Sequence, residues 1–440
     1  MFDRIEIADT EKRAVGKSTW FTRRLGLLGT FKCHDKIWYN FIMLTRTYEF
    51  KLKPTVKQVS IFESWLIACR QVYNYALAER KAWINSRKCK INACSIQQEY
   101  IIPGDTKRPT YLTQCKALTQ ARKDFPELGS VHVHVLQHTL KRLENAFVAM
   151  WDRGYGFPRF KSQSRMKSFT YPQMGVNPLK LGQVKLPKIG WVKMRQSRPI
   201  PEGFELKQVR IVRRVSGWHA MLILKLEVDV PDPTPHGEPL GIDLGLEKFL
   251  AISTGKFIAR PRFLFSLQSK LKSLQRKASR KKKGSSNWKK ACKKVAKLHE
   301  HISNTRKDFH YKLANQLASQ AGMVFAEDLN LKAMSSGMLR KHSLDAAFGQ
   351  FLSILEFVCW KQGVYFERVD PNLTSQTCPQ CQTITGKKLL SERKHSCPEC
   401  GYTTDRDVAS AQVVMQRGIK QVAVGRTVQA SEGIGLRRSL

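Results

Sequence analysis

Gly241-Ile242-Asp243-Leu244-Gly245-Leu246 is the stretch that decides the fold of the second half of this 440-residue chain. It precedes Phe249-Leu250-Ala251-Ile252-Ser253-Thr254-Gly255, and the two stretches together are typical of a buried strand, a turn and a second strand. Asp243 is the one acid in the first stretch. An isolated carboxylate among apolar side chains costs several kcal/mol, so the pattern predicts that Asp243 has a partner or binds a metal ion.

Two further acidic groups follow later in the chain. Gly322-Met323-Val324-Phe325-Ala326 has the composition of a buried strand and ends in Glu327-Asp328. Asp405-Arg406-Asp407 opens a helical run. Carboxylates at two strand ends and one helix start suit a site for two magnesium ions about 4 Å apart, which activate water and stabilise the leaving oxygen in phosphodiester hydrolysis. Each acid alone is also explained as a turn residue, a surface strand end or a helix N-cap.

Four of the eleven cysteines form two pairs, Cys378-Pro379-Gln380-Cys381 and Cys397-Pro398-Glu399-Cys400, with fifteen residues between them. Two such turns can present four thiolates to one tetrahedral ion, so the spacing predicts a structural zinc site. The predicted zinc ligands are Cys378, Cys381, Cys397 and Cys400. Disulfides or a redox pair are the alternatives. The duplicated motif and the absence of a signal-like segment after Met1 favour metal, reduced thiols and a location in the cytosol or nucleoid.

The charge balance predicts a nucleic-acid partner. Lysine and arginine outnumber aspartate and glutamate by 76 to 35, a formal charge of +41 that opposes compaction unless a polyanion neutralises it. Residues 270–297 hold thirteen of these bases and no acid, on both sides of Gly284-Ser285-Ser286-Asn287. We expect two basic helices joined by a turn that contact a duplex backbone, the alternative being a solvated helix face. No apolar run reaches the roughly 18 to 20 residues that span a bilayer, so no membrane partner is expected.

The amino-terminal half changes its periodicity along its length. Tyr48–Leu52 alternates like a strand, and helical spacing follows in residues 58–85, 111–122 and 131–152. Residues 157–230 carry short alternating runs typical of a small β-barrel or sheet, and Pro231–Pro235 has the composition of a linker. Three histidines of the third helical stretch are expected to be ordinary helix residues, and four polar residues of the first are candidates for contact with a DNA groove. These are His132, His134 and His138, and Arg70, Asn74, Arg80 and Lys81.

These motifs resemble the TnpB (OrfB) family, transposon-encoded proteins ancestral to type V CRISPR effectors. The resemblance covers nearly everything after Met43. It is carried by Gly241-Ile242-Asp243-Leu244-Gly245, Arg280-Lys281-Lys282-Lys283-Gly284, Lys297-Leu298-His299, Arg306-Lys307-Asp308-Phe309-His310, Glu327-Asp328-Leu329-Asn330, Thr374-Ser375-Gln376-Thr377-Cys378 and Cys400-Gly401-Tyr402-Thr403-Thr404-Asp405-Arg406-Asp407, with Cys69-Arg70-Gln71-Val72-Tyr73-Asn74 nearer the start.

The resemblance implies an RNA-guided DNA endonuclease of an insertion sequence. Its partners would be a guide RNA from the transposon end and double-stranded target DNA, cut beside a short transposon-adjacent motif. The three metal-binding acids of the family fall on Asp243, Glu327 and Asp407, with Asp405 the alternative to Asp407. The expected cofactors are structural zinc and catalytic magnesium at a two-metal site. A guided DNA-binding protein that has lost cleavage and a transposase that joins strands itself are the competing functions.

The implied fold is an α/β multidomain chain with an RNase H-like RuvC nuclease core, a zinc-ribbon insertion, a helical recognition domain and a β-barrel wedge domain. The expected segments are an N-terminal extension 1–43, a wedge strand 44–55, the recognition domain 56–152, the wedge barrel 153–236, the RuvC core 237–373, the zinc ribbon 374–404, the final RuvC helix 405–420 and a disordered tail 421–440. The chain departs from the family pattern at Gln382, where Gly is usual, and at Ala409, where Asn is usual.

Overall fold

The computed structural model describes residues 43–88, 102–175, 178–200, 202–227, 232–334, 336–389 and 391–435. The chain divides into two compact units, Met1–Val230 (unit 1) and Pro231–Leu440 (unit 2), and the division falls at the start of the linker-like Pro231–Pro235. Of the expected N-terminal extension, residues 1–42 lie outside the described residues. Within the described ranges, no helix combines the length and apolarity that a membrane crossing requires.

Unit 1 contains a seven-stranded sheet in the order β2-β6-β7-β1-β5-β4-β3. Six of its strands lie in the region for which the sequence predicted either a small β-barrel or a sheet. β1 lies at its centre, antiparallel to both β7 and β5. Alternate residues of β1, among them Phe50 and Leu52, point into the core. The strands are β1 (Met43–Lys53), β2 (Ser168–Tyr171), β3 (Leu179–Lys180), β4 (Gln183–Leu186), β5 (Gly190–Arg195), β6 (Glu205–Arg214) and β7 (Gly217–Glu227).

Four helices complete the described part of unit 1. They are α1 (Val56–Lys88), α2 (Tyr111–Asp124), α3 (Pro126–Ser130) and α4 (Val133–Arg153). The long helical runs predicted from residue spacing are therefore present. The short α3 begins at Pro126, which fits the first helical position because an N–H there would have no partner within the helix. α1 packs on the sheet through aromatic side chains: Phe62 and Trp65 both meet Phe169, with ring centroids 5.8 and 5.6 Å apart.

Arg80 is buried inside unit 1, so the expectation that it contacts a DNA groove is wrong. Only 2% of it is exposed. Its guanidinium forms an ion pair of 2.6 Å with Glu144, donates to the side chain of Gln114 at 3.0 Å and lies over the ring of Phe147. A buried guanidinium with these partners joins α1, α2 and α4, and spacing on α1 gave no sign of a partner 64 residues away.

His134 and His138 lie within α4, and His132 is the N-cap residue before it. Burial and the nearby Arg142 and Arg210 guanidinium groups lower the pKa of His138 to about 4. Burial also lowers the pKa of His132, which lies at the start of α4. Among the described residues, neither belongs to a group of side chains spaced to hold a metal ion.

Unit 2 is built on a five-stranded sheet in the order β10-β9-β8-β11-β12. β8 lies in the middle, antiparallel to β9 and parallel to β11, and β12 continues parallel to β11. A separate two-stranded ribbon joins β13 and β14. The strands are β8 (Pro239–Asp243), β9 (Lys248–Ile252), β10 (Phe257–Ala259), β11 (Met323–Glu327), β12 (Tyr365–Val369), β13 (Lys394–Ser396) and β14 (Thr403–Asp405).

The helices of unit 2 are α5 (Gln268–Ser279), α6 (Ser286–Ala318), α7 (Leu331–Met334), α8 (Arg340–Ala346), α9 (Phe348–Gln362) and α10 (Arg406–Gly435). α5 and α6 are the two predicted basic helices, and Ser285 caps α6 through a bond from the Trp288 N–H. α6 and α9 share a core cluster with Val324 and Ala326, whereas the alternate residue Phe325 packs with Val414 of α10. Since successive strand residues point to opposite faces, α10 covers the other face of the sheet.

α10 continues to Gly435. The sequence analysis had predicted that the final helix ends at residue 420 and that a disordered tail follows, so this boundary was wrong. Residues 421–435 contain no proline, so no residue in them lacks the N–H that the helical hydrogen bonds use or blocks the preceding turn.

Gly241 lets α10 lie directly on β8. A Cβ at this position would overlap the backbone oxygen of Ala411 and lie 2.8 Å from the Cβ of Met415. Backbone atoms of a helix cannot move aside as a flexible side chain can, so any larger residue pushes α10 away from the strand that carries Asp243.

We expect Gly241→Ala to lower the free energy of unfolding of the protein by about 1–3 kcal/mol, the usual cost of overpacking a core. The measurement is denaturant unfolding followed by circular dichroism. Gly337→Ala is the matched control, because nothing lies within 4 Å of a Cβ at that site and its backbone is not left-handed. Equal stability of both variants would contradict the role given to Gly241.

Candidate functional site

Three of the predicted acids meet at one end of the unit 2 sheet. Asp243 is the last residue of β8 and Glu327 the last residue of β11. These strands are parallel neighbours with Ile242 paired to Ala326, so their final residues lie at the same edge. Asp407 lies in the first turn of α10, which packs on β8. Strand order, not sequence proximity, therefore brings the three side chains together.

The pKa of Asp243 reflects the nearby charges of the other two carboxylates. Burial raises the pKa of Asp243 well above its usual value, and the charges of Glu327 and Asp407 raise it further. Burial also raises the pKa of Glu327 and of Asp407. Among the described residues, these oxygens do not all lie within 4.8 Å of one another, as the cysteine ligands do.

Glu327 is buried, and two groups outside its strand favour its charged form. The hydroxyl of Thr374 donates to Oε1 at 2.5 Å. The Arg417 guanidinium also lowers the pKa of Glu327 and is itself fixed by the backbone oxygens of Asp370 and Asn372, at 2.9 and 2.5 Å. In the sequence, Thr374 is only part of a motif and Arg417 belongs to none, so neither has a spacing that indicates a role.

Asp405 and Asp407 have different surroundings. One oxygen of Asp405 accepts the backbone N–H of Asp407 at 2.9 Å, which is a helix N-cap contact. The other oxygen lies 2.7 Å from the Lys248 ammonium, which is 4.0 Å from Asp407. Both oxygens of Asp405 are thus occupied by protein groups. Lys248 was missed in the sequence because it precedes these acids by more than 150 residues.

The four cysteines of the predicted zinc site form one cluster. Their Sγ atoms all lie within 4.8 Å of one another. Two of the separations are 3.6 Å, from Cys378 to Cys400, and 3.5 Å, from Cys381 to Cys397. Thiolates bound to zinc at about 2.3 Å in a tetrahedron lie just under 4 Å apart. The donor set and spacing therefore fit structural zinc, and His395, which lies close to Cys397 in the sequence, is not part of the cluster.

Comparison with known proteins identifies the family. Family models described as "Helix-turn-helix domain", "Probable transposase" and "Cas12f1-like, TNB domain" match residues 43–89, 223–337 and 348–414. A "Putative RNA-guided DNA endonuclease" of Streptomyces pristinaespiralis is 31% identical over 390 residues, 86% of this chain and 91% of that protein. The chain belongs to the TnpB (OrfB) family.

A second relative and a solved structure are also similar to this TnpB chain. The "Putative RNA-guided DNA endonuclease InsQ" of Escherichia coli (strain K12) is 28% identical over 403 residues, 88% of this chain and 95% of that protein. A solved Cas12f1-sgRNA-target DNA complex matches in fold with a TM-score of 0.51 and 13% identity, over 85% of this chain and 99% of that chain. The protein thus has a Cas12-like α/β fold with a Cas12f1-like TNB domain.

Gln382, where this chain departs from the TnpB pattern, closes the first cysteine turn in the left-handed region. Its N–H donates to the oxygen of Cys378 at 3.0 Å with φ of 64°, and Gly401 repeats that bond in the second turn with φ of 70°. Left-handed backbone costs a residue with a side chain about 1–2 kcal/mol. The Gln382 side chain offsets this cost, because its amide donates to Gln416 of α10 at 2.7 Å and to Pro379 at 3.2 Å.

The other departure from the TnpB pattern, Ala409, is buried inside the fold. It lies in the first turns of α10, between Val408 and the buried Ser410, in the part of the helix that packs on β8. Alanine leaves no polar atom to satisfy there, whereas a buried amide without a partner is costly.

We expect Asp243→Asn to raise the unfolding temperature of the magnesium-free, zinc-loaded protein at pH 8 by a few degrees. A carboxyl whose pKa is raised by folding adds stability below its unfolded pKa and loses it as the pH rises through the folded pKa. The gain should therefore vanish near pH 4. Thermal unfolding at several pH values measures it, with the exposed Asp328→Asn as control; a lower unfolding temperature at pH 8 would contradict the electrostatic account.

We expect Gln382→Ala to destabilise the cysteine cluster by about 1–2 kcal/mol, because it keeps the backbone strain and removes the amide contacts. Gln382→Gly should be nearly neutral, since relief of strain offsets the missing hydrogen bonds. Release of zinc to a coloured chelator measures both, with the exposed Gln380→Ala as control. If Gln416→Ala costs as much in the Gln382→Gly background as in the native chain, the two glutamines are not coupled.

Proposed function

We propose that the chain is an RNA-guided DNA endonuclease of an insertion sequence, with a guide RNA from the transposon end, that cuts double-stranded DNA beside a short transposon-adjacent motif. The observation that carries the chemistry is the set Asp243, Glu327 and Asp407 at one sheet edge with raised pKa values. The names of the two relatives, which cover most of both chains, support the guided activity.

The nuclease core that we propose is RuvC-like with an RNase H topology. Its support is the antiparallel set β10, β9 and β8 continued by the parallel strands β11 and β12. In this layout the core comprises 237–373 and the last helix, which runs to Gly435 and not only to residue 420. The zinc ribbon is 374–404, the wedge 44–55 and 153–236, and the recognition helices 56–152.

Magnesium would be held by Asp243, Glu327 and Asp407, and it would supply an activated water and charge stabilisation at the leaving oxygen. The protein groups around these acids hold their geometry. Thr374 fixes one oxygen of Glu327, and Lys248 neutralises Asp405, which in turn caps the helix that presents Asp407. With both its oxygens engaged, Asp405 is the weaker candidate, so we assign the third ligand to Asp407.

Zinc would be held by the four cysteines, as a structural ion with a closed set of ligands. Its proposed part is to fix the turn whose Gln382 and Pro379 contact Gln416 of α10. The basic helices α5 and α6 offer a sequence-blind surface for nucleic-acid phosphates.

The test is cleavage of plasmids that match the RNA copurifying with the protein and carry randomised flanks. We expect Asp407→Asn to lower the rate about a thousandfold or more, because a metal site contributes several kcal/mol to the transition state. Asp405→Asn should retain most of that rate, since an amide oxygen can still cap α10.

Two outcomes would contradict this proposal. Equal loss in the two variants would remove the distinction between Asp405 and Asp407. The alternative function, a guided DNA-binding protein without cleavage, predicts bound RNA and no cleavage by either the native protein or Asp243→Ala, at any magnesium concentration.

A further inference from the structure

One stretch of ten residues in unit 1, at the end of α4 and just after it, carries four exposed aromatic side chains. Trp151 is 47% exposed, Tyr155 62%, Phe157 40% and Phe160 46%. Large rings are normally buried, and a group of exposed rings often marks an interaction surface. The proposed nuclease chemistry in unit 2 uses none of them. We call these four side chains the aromatic platform.

Buried groups hold the platform in place. Phe147 is fully buried, and both Trp151 and Phe157 pack on it with ring centroids 5.5 Å away, the first stacked and the second edge-on. The segment is also clamped to α1, because Asn74 accepts from the Lys161 N–H at 2.8 Å and donates to the Lys161 oxygen at 2.9 Å. Two of the four rings and the backbone at Lys161 are therefore held before any ligand binds, which lowers the entropy cost of binding.

Cations interleave with the rings. The guanidinium of Arg108 lies 4.1 Å above the ring of Trp151, and the ammonium of Lys81 lies 5.8 Å from the ring of Phe160. The same segment has two further exposed basic residues, Arg153 and Arg159, and only one acidic residue, Asp152. Rings that stack and cations that meet phosphates are the two components of a surface for single-stranded nucleic acid.

We propose that the aromatic platform stacks unpaired bases of the guide RNA, with Arg153 and Arg159 contacting its phosphates. RNA is favoured over DNA because a double-stranded target keeps its bases paired and stacked until it is opened, whereas an RNA guide has unpaired bases from the start. A second copy of the chain does not suit the platform, since two surfaces of the same positive charge repel. The choice of RNA rests on the proposed guided function; the stacking chemistry does not.

Ultraviolet cross-linking of the native complex with its copurified RNA tests the source of the bases. Mass spectrometry of the cross-linked peptides should find ribonucleotide adducts within residues 151–160 before any DNA is added. Adducts that form only after target DNA is added, and that carry deoxynucleotides, would overturn the assignment to RNA.

Binding by the full-length chain, freed from RNA at high salt, tests the stacking. The probes are a fluorescent unpaired 12-nucleotide RNA and a fully paired RNA hairpin. We expect Tyr155→Ala with Phe160→Ala to weaken the unpaired probe at least about tenfold and the hairpin less than about twofold. Tyr155→Trp with Phe160→Trp should retain binding. The control Phe125→Ala removes an exposed ring outside the platform and should bind as the native chain does.

The charged residues give a separate readout. Arg153→Gln with Arg159→Gln should reduce the slope of log Kd against log salt by about 1.4, or 0.7 for each phosphate that an arginine no longer neutralises, while the alanine pair leaves that slope unchanged. The inference is overturned if the alanine pair, with native unfolding temperature, binds the unpaired probe within twofold of the native chain, or weakens the hairpin equally. A native protein that cross-links here but cuts no DNA would refute the proposed function alone.

Discussion

The desolvation of three carboxylates at one sheet edge is the constraint on which the surrounding structure of unit 2 depends. Asp243, Glu327 and Asp407 each lose solvation on folding, and each has a raised pKa. The fold opposes this cost with fixed cations and donors: Lys248 beside Asp405 and Asp407, Arg417 near Glu327, and the hydroxyl of Thr374. Bringing three acids together in this way lowers the stability of the fold, a cost that is usual at functional sites.

Close backbone packing keeps these charges in reach of one another. Gly241 allows α10 to touch β8, so the strand end with Asp243 and the helix start with Asp407 belong to one rigid contact. The cysteine turn joins the same helix further along, through Gln382 and Gln416. The cysteine cluster is thus linked to the acids, because its turn contacts the same helix that carries Asp407. The strained backbone of Gln382 is maintained by the contacts that its side chain makes.

Unit 1 distributes its charges differently. Its interior neutralises a cation, Arg80, with Glu144 and Phe147, and its surface leaves rings and cations exposed side by side at 151–160. Phe147 takes part in both arrangements. Its ring contacts the guanidinium of Arg80 and also packs against Trp151 and Phe157.

The sequence by itself determined those features whose information is local. Two Cys-x-x-Cys turns give a four-cysteine cluster that suits zinc without knowledge of the fold. The hydrophobic runs before Asp243 and Glu327 give two strands that each end in an acid, and the base-rich stretch broken at Gly284 gives two helices. Only the tertiary structure decided which side chains meet. The partners of Arg80, the ion pair of Lys248 with Asp405, and the tie from Gln382 to Gln416 join residues far apart in the chain. Periodicity shows which face of an element is buried, but a contact between distant elements depends on the packing of all of them.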